Sequence, residues 1–205
     1  RRKTGRMRRR CTTAVNPKAS PKNPEYVLII PRALYTQARG AEISVSLQVG
    51  GWGPGSRVTG YGIIEKGGNY LQWVAYGEIK PPQHAALSIC LKTICGKIAN
   101  ITEEEKPDAI AVEDIFYGKN VKSLIKQGHV RGAIILTCSQ MGIPVFEYTP
   151  LEIKQAVVGY GRAEKSQVQT MVRAILKIPE TIRADAADAL AIAICHANFS
   201  KVSSL

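Results

Sequence analysis

No stretch of this 205-residue chain offers the roughly twenty consecutive apolar residues that a membrane-spanning helix needs. Nor does any hydrophobic segment near the start resemble a secretory signal, so neither membrane insertion nor export is expected. The five cysteines (Cys11, Cys90, Cys95, Cys138 and Cys195) are odd in number and include no Cys-x-x-Cys pair. That pattern reads as reduced, mostly buried thiols in a reducing compartment rather than a disulfide framework. The three histidines, His84, His129 and His196, are scattered and suggest no joint role. No internal repeat is visible.

Acids are nearly missing from the start. Residues 1–40 hold eleven Lys/Arg against the single acid Glu25, so they carry +10 of the net +12. The remaining chain carries only +2, and any polyanion binding there must come from clustered rather than total charge. The opening RRKTGRMRRR, followed by Pro17, Pro21, Pro24 and Pro31, sets residues 1–42 apart as a basic leader. A transit peptide, a nucleic-acid-binding arm, and sequence from a different start or frame that would not fold all remain open for it. Residues 43–200 form the expected globular domain, since 45% hydrophobic and 21% charged residues are an ordinary folding composition.

Within that domain, ISVSLQV (43–49) alternates weakly and is a candidate first strand. VTGYGIIEK (58–66) and YLQWVAYGEI (70–79), joined by Gly67-Gly68-Asn69, predict a hairpin. A helical period over 84–104 stops before Pro107, and AIAVED (109–114) is the continuous apolar run of a strand buried on both faces. A helix over 120–140, the strand PVFEY (144–148), and helices near 150–157, 164–176 and 184–197 complete the order. Three antiparallel strands followed by alternating helices and strands predict a mixed α/β sheet with helices on its faces.

The chemistry-bearing signal is a set of acids at the ends of these elements. Glu113 ends a buried strand, where open α/β sheets place ligands. Asp185 and Asp188, spaced i, i+3 in RADAADALAIAI, project from one face at the start of the last helix. Each has a bland explanation alone: acids cap and complement a helix N-terminus, and a strand-end Glu is often simply solvated. Three carboxylates converging from separate elements, however, repel one another unless a divalent cation neutralises them. Oxygen-only ligation suits Mg²⁺ or Mn²⁺ over Zn²⁺, and basic residues nearby point to two-metal phosphodiester hydrolysis.

Four blocks carry a more specific signal: GPGSRVTGYGII (53–64), VEDIFYGKN (112–120), PVFEYTPLEIKQAVVGYGRAEKSQVQTMV (144–172) and ADAADALAIAI (184–194). In this order and spacing the chain, from about residue 54 to 200, resembles the bacterial RuvC Holliday-junction resolvases. The resemblance implies a ribonuclease-H-like fold, a mixed five-stranded sheet of three antiparallel plus parallel strands flanked by helices. It implies a homodimeric, Mg²⁺-dependent endodeoxyribonuclease that nicks two symmetry-related strands of a four-way junction in recombination and repair. Two Mg²⁺ ions per site, with Mn²⁺ able to substitute, RuvA and RuvB branch-migration proteins as partners, and a bacterial cytoplasmic location follow from it. Organellar targeting by the basic leader stays open.

The family's carboxylate cluster takes one acid from the first strand, one from the fourth, and two from the last helix. Glu113 matches the fourth-strand acid, and Asp185 and Asp188 match the helix pair. The first-strand acid belongs to a Gly-Ile-Asp-Pro-Gly-Ser motif, which here reads Gly51-Trp52-Gly53-Pro54-Gly55-Ser56. Glycine therefore stands at the aspartate position, and weakened cleavage is expected. Because the likeness stops at Pro54, the sequence before it is expected to derive from another frame or start. Glu42, eleven residues upstream, is too far along an extended strand to replace the missing acid, and Asp114 would face the opposite side of its strand from Glu113.

The match favours Phe116, in the loop after Glu113, as a side chain that stacks on a base at an opened junction centre, although an aromatic of this kind is as often core. Lys119, Lys122, Lys154, Arg162 and Lys165 are DNA-contact candidates; any one of them alone would read as a solvated surface charge. Two rival functions stand beside the resolvase: a junction-binding protein without catalysis, because of Gly53, and a ribonuclease-H-like nuclease acting on RNA–DNA hybrids. The EDIFYGKN and AEKSQVQ blocks argue against the second.

Overall fold

The hairpin that Gly67 and its neighbours predict is present in a computed structural model that describes residues 14–15, 41–46, 58–67, 70–114 and 121–199. Strands β3 (Thr59–Gly67) and β4 (Tyr70–Ile79) pair antiparallel with Gly67 opposite Tyr70. Strand β2 (Ala41–Ser46) pairs antiparallel with β3 and parallel with β5 (Ala109–Glu113). Strand β6 (Val145–Tyr148) lies parallel to β5 at the edge. The sheet order is β1-β4-β3-β2-β5-β6. Its sixth member β1, the two residues Ala14–Val15 of the basic leader, is antiparallel to β4.

Helices cover both faces. On one, α1 (Leu87–Glu105) and α2 (Val121–Gln140) bury Ile94, Ile98, Val130, Ile134 and Cys138 against Ile63, Ile110 and Val112. On the other, α3 (Pro150–Val158), α4 (Lys165–Leu176) and α5 (Ala184–Phe199) pack on Ile64, Trp73 and Ala111. Residues of β5 thus alternate between two cores, and its first four are all buried, which explains its unbroken apolar sequence.

Helix α5 is the central element. From Ala186 to Ala197 all its side chains are buried except Asp188, so it is apolar almost all round, as a helix enclosed on every side must be. It lies close on β3 because Gly60 and Gly62 face it: a Cβ at Gly60 would overlap the backbone carbonyl of Asp185, and one at Gly62 would overlap Leu190. The cysteines Cys90, Cys95, Cys138 and Cys195 are all free, and burial pushes the Cys138 thiol up to about 11 and that of Cys195 up to about 12. No helix among the described residues is long and apolar enough to cross a membrane.

Candidate active site

Glu113 is the last residue of β5 and shares the face of Ala111, so its side chain meets the α3–α5 layer. Asp185 and Asp188 reach the same place from the first two turns of α5, whose start is seated on Gly60. Two further contacts tie the preceding loop to β4. The Tyr76 hydroxyl donates to Glu180 Oε1 at 2.6 Å, and Arg183 Nη1 lies 3.4 Å from Glu78 Oε2.

Capped helix starts deliver the cations. Thr149 caps α3, accepting from the Glu152 amide while the Glu152 carboxylate accepts from the Thr149 amide, and Lys154 follows within the next turn. Gln167 reaches back to the Glu164 amide at 2.8 Å, fixing the start of α4 and with it Lys165. The Lys165 ammonium lies 2.7 Å from Asp188 Oδ2.

The three carboxylates share one electrostatic field. Burial, and next the charge of Asp188, push Glu113 up to about 7, against the pull of Lys165 and Lys154. Burial raises Asp185, helped by Glu78 and Asp188 and opposed by Lys165 and Lys80. Burial also raises Asp188, which the hydrogen bond and charge of Lys165 oppose. A cation beside such acids would favour their charged forms and offset the cost of burying them. Among the described residues no three ligand-type side chains are gathered round one point. The donors are all carboxylate oxygens and fit a hard divalent ion.

Of the predicted residues, Asp188, Lys154 and Lys165 bear electrostatically on Glu113, and Asp188 and Lys165 bear on Asp185. Lys122, in the first turn of α2, and Arg162 are exposed. Gly53, Phe116 and Lys119 lie outside the described residues. Glu42 is level with Ala109, four residues from Glu113, or roughly 13 Å along the strand. Asp114 does face the other side, toward Arg131 of α2.

Sequence reasoning missed Glu78, whose charge bears on Asp185. It lies directly opposite Gly60, a pairing known only once the β3–β4 register is set. It also missed His196, which is buried, accepts or donates a 2.7 Å hydrogen bond with the Tyr148 hydroxyl, and packs on Phe146.

A ribonuclease-H-like sheet with acids at the carboxyl edge of a central strand defines the class as a metal-dependent nuclease fold. The family model described as Crossover junction endodeoxyribonuclease RuvC matches residues 49–196. The chain belongs to the RuvC family of crossover junction endodeoxyribonucleases and is an endonuclease of that family. It is 48% identical over 159 residues to the RuvC of Geobacter sulfurreducens, covering 78% of this chain and 97% of that one. With the RuvC of Geobacter metallireducens it shares 49% over 152 residues, 74% of this chain and 93% of that one. T. thermophilus RuvC in complex with a Holliday junction substrate superposes with a TM-score of 0.68 at 29% identity, over 77% of this chain and 93% of that one. A yeast mitochondrial Holliday junction resolvase shares the fold at a TM-score of 0.51 and 10% identity, over 82% of this chain and 80% of that one. The match from residue 49 takes in Gly53 and the residues just before it, so family likeness does not stop at Pro54.

Proposed function

We propose that this chain resolves four-way DNA junctions by paired, symmetric nicks, with Glu113, Asp185 and Asp188 as the metal-holding carboxylates. The observation that carries this reading is the shared field of those three acids, in which Asp188 raises Glu113 and Lys165 acts on all of them. Two Mg²⁺ ions bound there, or Mn²⁺ in their place, would activate the attacking water and steady the leaving oxygen. Lys154 and Lys165 flank the acids and hold the phosphate by charge. Lys119, Lys122 and Arg162 add contacts along the DNA backbone, and Phe116 stacks on a base at the opened centre.

Paired nicks need two sites related by symmetry, hence a homodimer. Helix α2 supports this with exposed Val121, Ile125 and Leu136, which lie along one stripe with Gly132. RuvA and RuvB complete the set of partners by family resemblance, in a bacterial cytoplasm.

One residue favours a second reading, a junction-binding protein of weak catalysis. Gly53 would supply no ligand at the position where the family pattern has an aspartate. The test is a synthetic mobile four-way junction with Mg²⁺, beside an RNA–DNA hybrid duplex. Glu113→Gln and Asp185→Asn should lose whatever cleavage the parent has while binding junctions as well or better. Loss of junction binding in these folded variants would assign the acids to structure instead.

A further inference from the structure

The face of β5 that points away from the carboxylates carries its own cluster, centred on Arg131. This residue follows buried Val130 on α2, and its side chain is 16% exposed. Arg131 Nε donates to the main-chain carbonyl of Glu113 at 3.2 Å. Its Nη2 lies 3.2 Å from Asp114 Oδ1 and also pairs with the Glu147 carboxylate of β6. In the β5–β6 register Val112 is opposite Glu147 and Glu113 opposite Tyr148, and the Asp114 amide donates to the Tyr148 carbonyl at 2.8 Å. One guanidinium therefore grips both strands at their last rungs and bonds the very residue whose side chain enters the acid cluster.

Chemistry explains why arginine stands there. A planar fork with five donors can serve a carbonyl and two carboxylates at once, which a compact ammonium on a flexible stem does less well. A largely buried charge is tolerated only when acceptors surround it, and among the described residues Arg131 finds them at the end of the β5–β6 pair.

We propose that Arg131 is a positioning residue for Glu113: by holding the strand end from behind, it sets the place from which the carboxylate meets Asp188. It also makes α2, with its exposed apolar stripe, a rigid support of the acid cluster. The proposal rests on the reading of Glu113 as a metal ligand.

The test uses the full chain and Mn²⁺ alone, following free Mn²⁺ by electron paramagnetic resonance for the parent, Arg131→Met, Arg131→Lys and Glu113→Gln. Hydrogen exchange of the Asp114 amide is measured alongside. Arg131→Met should weaken Mn²⁺ binding about 10-fold, the scale on which groups orienting a ligand act. The same variant should speed exchange at Asp114 and leave junction binding in chelator unchanged. Arg131→Lys should recover part of both losses. If Arg131→Met unfolds, the pair Asp114→Asn and Glu147→Gln, which keeps the guanidinium, should shift both readouts the same way. Parental Mn²⁺ affinity together with parental Asp114 exchange in the Arg131 variants would overturn the proposal. Glu113→Gln binding Mn²⁺ like the parent would instead remove the metal reading of Glu113, and with it the positioning role, whatever Arg131 does to the strand.

Discussion

Lys165 and Asp188 form a 2.7 Å ion pair between α4 and α5, and the same ammonium pulls down the proton affinity of Glu113 on β5. Lys165 therefore acts on all three acids, and the proposed phosphate contact gives it a second, separable role. Lys165→Gln should weaken four-way junction binding and reduce the slope of log affinity against log salt by about 1. It should cost at most about 1 kcal/mol of stability, because the lysine is half exposed. An unchanged salt slope would limit Lys165 to its contact with Asp188.

The raised Glu113 gives a pH dependence of definite sign. With a folded value of about 7 against an ordinary 4.5, the folded chain holds a proton that the unfolded chain releases between those values. Stability from this group is therefore lost as pH rises from about 4.5 to about 7. His196, lowered by burial and Lys66, works in the opposite direction near neutral pH, so the effect must be isolated by difference. In chelator, the melting temperature of the parent minus that of Glu113→Gln should fall from pH 5 to pH 7.5 and then level. Added Mg²⁺ should reverse the fall by binding the ionised carboxylate. A difference that stays flat with pH would contradict the raised value.

Gly60→Ala tests how α5 is seated. The added methyl group meets the carbonyl of Asp185, so the helix start must move off β3. Denaturant unfolding should show a loss of about 1–3 kcal/mol, typical of overpacking a tight contact. Metal affinity should fall with it, since Asp185 moves too. Parental stability would mean that the helix start yields at no cost.

Most of the element order was legible because hydrophobic period and turn residues agree locally. The strand Tyr70–Ile79 and the run AIAV of β5 show it, as does the Ala-rich α5. The acids Glu113, Asp185 and Asp188 could be picked out because each interrupts an apolar run at an element's end. Glu78 and Arg131 could not. Their contacts depend on which residue lies opposite across a strand pair or behind a strand end, and neither has a local signature in YGEIK or HVRGA. The two-residue β1 was equally hidden, since Ala14–Val15 is too short for any periodic signal.

Two questions decide the function of the site: whether the three acids support junction cleavage, and whether Gly53 limits it. The direct measurement is Mg²⁺-dependent cleavage of a synthetic four-way junction by the parent, Gly53→Asp, and Gly53→Asp combined with Asp185→Asn. Under the proposed reading an aspartate at 53 would add a carboxylate to those available for metal. Gly53→Asp should therefore cut orders of magnitude faster than the parent with little change in binding, and the combined variant should not cut. Cleavage by the combined variant at the rate of Gly53→Asp would contradict the site. Robust parental cleavage that Gly53→Asp does not increase would contradict the handicap assigned to Gly53.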